Sequence, residues 1–468
     1  MVLAKIALAA ALLAWFLWKA RANRLFLLGI PVLMVMGESV FFNRMRPFWI
    51  PGRLEPQTHI FVWLCIVWVL IVVGARRGDT ARTGPFGPGR LLPEETPLLL
   101  IAALIAVQAI VAGAGSGDFA AGVFSAADLA YLVIGYLLVR GIASQFSRAE
   151  TIEFLGAVVI ANTIAAGLYI IHQGLGASIY TGGEYFTTLF RGVEITRTFH
   201  FAPQFTILAL GFILARSRWT AGWLLVLAIS VLSVLVSYTR TPLIAVMLAF
   251  VISLVVRELR QPSAARLVRR ALVIGVSAVV IVAGFAVVLP AQSQFINSRF
   301  SEFASASGAS DIGNWQVRQF KYNAVEDVVL KSDPYFGMGF PAPGSNPVDA
   351  QVYRYSADMT WIPILYYTGY VGLALFGLLL LGFAVRTVRL ASSPDETRRY
   401  LGLTYLIVIC LTVLIGFTTW TFMEPRVAAL GLWPLALVAA EALRPEDERE
   451  VAESSELAEA SVSGSAMP

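Results

Sequence analysis

The sequence is short of charged residues. Only 14% of its 468 residues are charged and 57% are hydrophobic, with a mean hydropathy of +0.73, whereas about a quarter of the residues of a soluble domain are charged. The hydrophobic residues form repeated runs of roughly 18 residues or more, long enough to cross a bilayer as helices. These runs do not alternate between apolar and polar residues, as the strands of a membrane barrel do. The composition therefore predicts an α-helical membrane protein.

Cysteine and histidine are scarce as well. The two cysteines, Cys65 and Cys410, fall inside apolar runs, where we expect small buried residues rather than a disulfide or a metal pair. The three histidines, His59, His172 and His200, do not have the spacing of metal ligands. The sequence also lacks nucleotide-binding glycine loops, the GxSxG serine motif and the HExxH zinc motif. We therefore expect a protein that uses neither a metal nor an organic cofactor.

The apolar runs predict an all-α polytopic membrane protein with about 12–13 transmembrane helices. They lie in one membrane domain, residues 1–442, and the first run lacks a signal-peptide cleavage site, so we interpret it as a span. Residues 443–468 are acidic and rich in small side chains, which predicts a disordered cytoplasmic tail. The predicted spans are 3–19, 25–41, 58–75, 96–113, 127–145, 152–172, 201–215, 219–237, 241–256, 271–289, 360–385, 400–419 and 426–442.

The distribution of basic residues predicts the orientation of these spans. Most of the 35 Lys and Arg residues fall in one set of alternate loops, which the positive-inside bias places in the cytoplasm. The opposite set contains a long polar loop, residues 290–358, which we therefore place outside the cytoplasm. So much polar sequence at one membrane face is where we expect binding or chemistry.

The long loop contains a helix signal. Apolar residues recur there at spacings of three and four, which predicts a surface helix with one apolar face. Asp311 or Asn314 could cap its start, and Asp333-Pro334 should end it, because the residue before a proline avoids helical geometry. The next stretch, residues 335–347, is rich in glycine and proline and predicts an irregular turn. The residues of the apolar face are Val317, Phe320, Ala324 and Val328.

Arginine stands out on the predicted outer side. The guanidinium group is permanently charged and its planar fork suits phosphate oxygens. Several arginines at this face would therefore suit a diphosphate on a lipid carrier. The alternative is that each one snorkels to the interface or pairs with a neighbouring glutamate. The arginines concerned are Arg191, Arg197, Arg240, Arg318 and Arg426.

Asp358 lies where the long loop re-enters the membrane, shortly before Trp361. A carboxylate there can accept a proton from an acceptor hydroxyl if burial raises its pKa, or it can cap the following helix. His200 is the alternative base. Aromatic side chains such as Tyr335 and Trp361 either stack on sugar rings or belong to the interfacial aromatic belt.

Several stretches, taken in chain order, resemble segments of bacterial O-antigen ligases and Wzy-type O-antigen polymerases. They contain an arginine before a span, a Ser-x-x-Arg sequence, an Arg-led loop helix with a following Gly-x-Gly, and a polar residue ahead of a glycine. In the last of these motifs, the polar residue is Asp358 and the glycine is Gly369. Ligases of the family usually have a histidine where this chain has Asp358. The stretches are RTFHFAPQFTILAL (197–210), SYTRTPLIAVMLAF (237–250), NWQVRQFKYNAVEDVVLKSDPYFGMGF (314–340) and ADMTWIPILYYTGYVGLALF (357–376).

The resemblance implies a glycosyltransferase of the bacterial inner membrane with its active site on the extracytoplasmic face. Such an enzyme moves a saccharide from a polyprenyl-diphosphate carrier to a hydroxyl of a glycan or glycolipid acceptor, as a ligase or as a polymerase. It further implies that Arg197 and Arg318 bind the diphosphate and that Asp358 is the base or orients the acceptor. The other expected substrate contacts are Arg191, Arg240, His200, Tyr335, Trp361 and Arg426.

Two other functions stay open on the sequence. A transporter or flippase of lipid-linked oligosaccharide would need polar or ionisable residues within its spans, and Glu38 and Gln108 are the clearest of these. A non-catalytic component of a polysaccharide export complex would tolerate the loss of every outward arginine.

Overall fold

A computed structural model gives the structure of the chain, and most of what it describes is helical. The described residues are 2–41, 56–75, 91–116, 126–175, 186–190, 193–197, 203–237, 240–258, 290–305, 313–340, 361–416 and 430–444, with scattered positions between 268 and 287.

The first part of the described chain consists of helices with one β-hairpin among them. Short 3-10 turns, Arg24–Leu28 and Pro93–Glu95, precede the second and fourth helices. The hairpin follows the sixth helix and consists of β1 (Phe186–Phe190) and β2 (Val193–Arg197). The helices are α1 (Val2–Lys19), α2 (Gly29–Phe41), α3 (Pro56–Ala75), α4 (Thr96–Ser116), α5 (Ala127–Ala143), α6 (Arg148–Leu175), α7 (Pro203–Leu214), α8 (Ala221–Leu235) and α9 (Arg240–Glu258).

The remaining helices comprise two polar ones and three apolar ones. They are α10 (Pro290–Ser305), α11 (Gly313–Ser332), α12 (Trp361–Ala391), α13 (Glu396–Gly416) and α14 (Trp433–Ala442). The first two lie within the predicted outer loop, and α11 ends at Ser332, directly before the Asp333-Pro334 pair that was expected to stop it.

Apolar helices of spanning length confirm the predicted fold class. Within the described residues, α4, α6, α12 and α13 are long and apolar enough to cross a membrane, and eight shorter apolar helical segments accompany them. Helix α13 makes the two most extensive helix–helix contacts of the described residues, one with α12 and one with α7. At the second contact Gly211 lies so close to α13 that a Cβ atom there would lie 2.8 Å from the carbonyl oxygen of Thr404. Small residues of this kind let membrane helices approach closely.

The sequence predicts only a loop where the structure has the hairpin. Its strands are antiparallel, with Phe186 opposite Arg197 and Phe190 opposite Val193. The strand sequences FTTLF and VEITR are rich in β-branched and aromatic residues, which favour extended pleated structure. Only two residues separate the strands, a connection length common in hairpins.

One end of the bundle contains buried ion pairs, and we call it the basic end. Arg386 at the end of α12 binds Glu94 through Nε and Nη2 at 3.1 and 3.0 Å. The neighbouring Glu95 is almost fully buried; its Oε1 lies 2.8 Å from Nε of Arg140 and accepts a hydrogen bond of 2.6 Å from the Tyr136 hydroxyl. The start of α4 is therefore tied to the ends of α5 and α12.

A second group at the basic end surrounds Glu441, whose side chain is fully buried. Its oxygens accept hydrogen bonds from Arg148 Nε and Arg444 Nη1, each at 2.7 Å. Arg444 also donates to the carbonyl oxygen of Ala143 and to Thr151. Although Arg444 belongs to the predicted tail, it packs against α5 and α6, and the rest of that tail, residues 445–468, lies outside the described residues. Basic residues from alternate loops thus meet at one end of the bundle.

Candidate functional site

The end opposite the basic end carries the polar elements of the predicted outer loops. The hairpin meets α10 there, with the rings of Phe190 and Phe295 5.4 Å apart. Helix α11 packs on α12, which runs from this end to the basic end, where Arg386 lies. Of the predicted outer loops, the structure thus describes the hairpin, α10, α11 and the residues that follow α11, and it packs α11 against α12.

Helix α11 packs through a face that differs from the predicted one. Val325 and Val329 are fully buried, and Arg318 and Tyr322 lie half-buried on the same face at spacings of three and four residues. Phe320, which was expected on the apolar face, is 61% exposed. The predicted face is thus rotated, because the contact with α12 rather than apolar periodicity alone selects the buried residues. Arg318 lies on the packed side of the helix as a result.

A tight turn, the elbow (residues 333–340), follows α11. The Asp333 Oδ1 atom accepts hydrogen bonds from the backbone N–H groups of Tyr335 and Phe336 at 3.0 and 3.1 Å, the usual way in which aspartate starts a turn. Gly337 and Gly339 both have positive φ, 74° and 67°, which glycine adopts without steric cost. The predicted irregular turn at the glycine-rich stretch is confirmed for these residues.

Helix α12 is interrupted at Gly369, and the elbow docks on the interruption. Gly369 has φ 63° and ψ −164°, a region that is essentially restricted to glycine. In an unbroken helix the next two N–H groups would donate to carbonyls four residues earlier. Instead Tyr370 donates to Pro334 O at 3.0 Å and Val371 donates to Tyr335 O at 3.1 Å. The elbow thus takes the place of one helical turn.

The two carbonyl groups released by the interruption also find donors. The Tyr366 oxygen accepts from the Met338 N–H at 2.8 Å. The Tyr367 oxygen accepts from Gln108 Nε2 of α4 at 2.8 Å, and the same nitrogen donates to Phe336 O of the elbow. A membrane interior offers no water to such groups, so each must be satisfied within the protein.

Two tyrosines and a glutamate join α11 to α12 beside the elbow. The Tyr370 hydroxyl donates to Glu326 Oε1 at 2.6 Å, and it also interacts by a hydrogen bond with the Tyr322 hydroxyl. Burial raises the pKa of Tyr322, and the charge of Glu326 raises it further, so this phenol stays protonated at neutral pH. Hydroxyl and carboxylate groups of this kind are suited to hydrogen bonding with sugars.

Three of the predicted site residues have described side chains. Arg318 is half-buried on the packed face of α11. Tyr335 is 67% exposed on the elbow, where it can meet a substrate. Trp361 opens α12 and packs on Phe376 of the same helix, edge to face at 5.8 Å, so its ring has a structural contact.

The other predicted site residues have no described side chains. The backbone places Arg197 at the end of β2 and Arg240 at the start of α9. Arg191, His200, Asp358 and Arg426 lie outside the described residues, as does the side chain of Glu38.

Sequence reasoning missed the roles of three residues at this site. The sequence marks Gln108 only as a polar residue within a span, and Glu326 and Tyr370 are not among its predicted site residues. The signal for Gln108 was its isolation in an apolar helix, where a polar residue requires a partner. Glu326 lies four residues after Tyr322, a spacing that places both on one helix face. Its hydrogen-bond partner Tyr370 follows 44 residues later, so no local pattern connects the two.

Comparison with known proteins identifies a family for part of the chain. Residues 223–377 match the O-antigen ligase family, Wzy_C. The matched segment contains α11, the elbow and the Gly369 interruption. No curated protein matches the chain. Over residues 223–377 the chain thus matches the O-antigen ligase domain, which supports its resemblance to O-antigen ligases and Wzy-type polymerases.

Proposed function

We propose that the protein transfers a saccharide from a polyprenyl-diphosphate donor to an acceptor hydroxyl at the outer leaflet of the bacterial inner membrane. The observation that carries the proposal is the O-antigen ligase segment, residues 223–377, because it contains Arg318 and the docked elbow. O-antigen ligases are membrane enzymes of cell-surface polysaccharide assembly, which requires a lipid-linked saccharide and a glycan acceptor.

Arg318 is the best-supported contact for the diphosphate. Negative charge develops on the leaving diphosphate as the bond from the sugar carbon to its oxygen breaks, and a fixed guanidinium stabilises that charge. The buried valines of α11 and the Tyr370–Glu326 hydrogen bond hold the helix that carries Arg318. Arg197, at the end of β2, and Arg240, at the start of α9, are proposed as further phosphate contacts.

The proposed acceptor chemistry uses Asp358. The acceptor oxygen attacks the anomeric carbon, its proton passes to the Asp358 carboxylate, and the polyprenyl diphosphate leaves with the electrons of the broken bond. Asp358 precedes the first residue of α12, Trp361. Arg191, His200, Tyr335 and Arg426 complete the proposed contacts, either to phosphate or to sugar.

Of the two residues that favoured a transport function, Gln108 has a structural role, whereas the side chain of Glu38 lies outside the described residues. Gln108, which could have lined a path through the spans, donates its amide hydrogens to two backbone carbonyls. We therefore propose the enzyme alone.

Substitution at Arg318 tests the proposal. Arg318→Ala should lower the transfer rate about 10²–10³-fold, since it removes one electrostatic stabiliser of the transition state, and Arg318→Lys should retain part of the activity. The rate is measured with purified protein, lipid-linked saccharide from membranes of a deletion strain, and that strain's acceptor glycan. Lys331→Ala, at an exposed position of the same helix, is the control and should be normal.

Asp358→Asn should also abolish transfer while the protein still reaches the membrane. Normal surface polymer in strains that carry well-folded Arg318→Ala and Asp358→Asn proteins would contradict the assignment. Movement of the lipid-linked saccharide between leaflets without transfer would favour a transporter instead.

A further inference from the structure

We propose that Gln108 is a positioning residue of the transfer site, although it lies on α4, outside the O-antigen ligase segment. It joins the elbow to the interrupted helix α12 and thereby holds α11, with Arg318, in place. The catalytic consequence rests on the function proposed above, whereas the positioning itself can be measured without activity.

The sequence around Gln108 shows that the residue is unusual. It lies in the helix TPLLLIAALIAVQAIVAGAGS, whose other polar residues are at its two ends. Val107 and Val111 on either side are 58% and 64% exposed towards the surroundings of the bundle, whereas Gln108 is only 9% exposed and points inward. Burying an amide in an apolar bundle is costly unless its hydrogen bonds are made, so this glutamine needs partners inside the protein.

The amide nitrogen has the two partners that it needs. An amide nitrogen carries two hydrogens, and Gln108 Nε2 meets two acceptors, the carbonyl oxygens of Phe336 and Tyr367. Because both partners are carbonyls, the nitrogen and not the oxygen must face them. Oε1 has no hydrogen-bond partner among the described residues. Gln108 therefore acts in this contact only as a hydrogen-bond donor.

These two acceptors belong to the two parts that must stay together. Tyr367 lies two residues before the interruption at Gly369, where its carbonyl has lost the helical donor Val371. Phe336 lies in the elbow, four residues after the end of α11. The Tyr366 oxygen receives the N–H of Met338, whereas the Tyr367 oxygen receives the side-chain amide of Gln108. A side chain from α4 completes the docking of the elbow.

Loss of this contact should displace α11 rather than unfold the bundle. The elbow continues directly into α11, and the helix is otherwise held on α12 by Val325, Val329 and the Tyr370–Glu326 hydrogen bond. Misplacement of a catalytic group by about 1 Å can lower a rate about 10²-fold. We therefore expect kcat to fall while the KM for the donor changes little.

Two substitutions separate donation from packing. Gln108→Leu introduces an apolar side chain of similar size that has no hydrogen-bond donor. Gln108→Glu keeps the shape, but it can donate only one hydrogen bond, and only while its carboxyl is protonated. The elbow should therefore be more firmly docked in Gln108→Glu at low pH, where one of the two hydrogen bonds can remain, than at high pH.

Cysteine accessibility measures docking independently of activity. In protein with Cys65 and Cys410 replaced by alanine, Val329→Cys places a thiol of similar size on the fully buried face of α11, and Leu330→Cys places one at a 54% exposed position beside it. The ratio of their rates of labelling with a membrane-impermeant maleimide cancels the pH dependence of the thiol reaction itself.

With Gln108 present, Val329→Cys should react at least about tenfold more slowly than Leu330→Cys, because access requires local opening. Gln108→Leu should bring the ratio towards one, and Gln108→Glu should do so reversibly as the pH rises, with kcat following the same curve. An unchanged ratio in both variants would overturn the proposal. If the ratio changes but the wild-type protein transfers no saccharide, the positioning role holds and the proposed function fails.

Discussion

At the scale of single residues, one hydroxyl joins the polar helix to the membrane helix. The Tyr370 hydroxyl donates to Glu326 at 2.6 Å and is also hydrogen-bonded to Tyr322. A hydrogen bond to an ionised group contributes about 1.5–3 kcal/mol when removal leaves its partner unpaired. Glu326 is only half-buried, so water can replace part of that contact. We expect the lower part of this range.

Tyr370→Phe tests this contact. The variant should lower the free energy of unfolding by about 1.5 kcal/mol, seen as a thermal midpoint a few degrees lower for the detergent-purified protein. Tyr335→Phe is the matched control: its hydroxyl belongs to a 67% exposed side chain, so its midpoint should equal that of the wild type. Equal midpoints for both variants would show that the Tyr370 hydroxyl does not fasten α11.

At the scale of elements, the site depends on an interruption in a membrane helix. Gly369 occupies a backbone conformation that residues with a Cβ atom avoid, and a Cβ there would lie 2.4 Å from the carbonyl oxygen of Tyr335. Gly337, on the elbow side, would place a Cβ 2.6 Å from Tyr366 O. The two backbones can exchange hydrogen bonds only because neither glycine has a side chain.

Gly369→Ala should therefore prevent the elbow from docking, since backbone strain of about 1–3 kcal/mol is added to a backbone clash. We expect transfer activity to be lost and Val329→Cys to label as fast as Leu330→Cys. Gly377→Ala is the control within the same helix, because a Cβ at Gly377 meets nothing within 4 Å and helical alanine is favoured over glycine. Normal labelling of Gly369→Ala would refute the close approach of elbow and helix.

At the scale of the whole molecule, buried ion pairs stabilise the bundle at the basic end, and backbone hydrogen bonds between the elbow and α12 stabilise it at the other end. Glu441 is fully buried and holds Arg148 and Arg444, whose side chains are 4% and 7% exposed. Removal of one partner of a buried ion pair leaves an uncompensated charge, which costs about 3–5 kcal/mol. An exposed pair on a helix, such as Lys331–Asp327, contributes only about 0.3–0.5 kcal/mol.

Glu441→Gln should accordingly lower stability by about 3–5 kcal/mol and reduce the amount of protein in the membrane. Lys331→Ala should change stability by less than about 0.5 kcal/mol. Thermal unfolding in detergent and quantification of membrane-inserted protein provide the measurement. If Glu441→Gln were as stable as Lys331→Ala, the basic end would not be a fastening of the bundle.

The sequence by itself determined the class of the fold and some of its local boundaries. Hydropathy predicts membrane helices because the bilayer excludes charge over a fixed thickness, and the described helices follow the predicted spans closely. Proline and glycine are equally local signals. They predict the end of α11 before Asp333-Pro334 and the turn that contains Gly337 and Gly339, since backbone sterics act within a few residues.

Only the tertiary structure decided how these parts meet. Apolar periodicity in α11 favours Phe320, but contact with α12 buries Val325 and Val329 instead. No local pattern predicts that Gln108 donates hydrogen bonds to carbonyl groups 228 and 259 residues later in the sequence. The interruption at Gly369 releases backbone groups that only a distant segment can satisfy, and in a membrane water cannot substitute for that segment. The physical reason is that sterics and hydropathy act between residues close in sequence. The hydrogen-bond partners of buried polar groups can be far apart in the sequence, and only the fold brings them together.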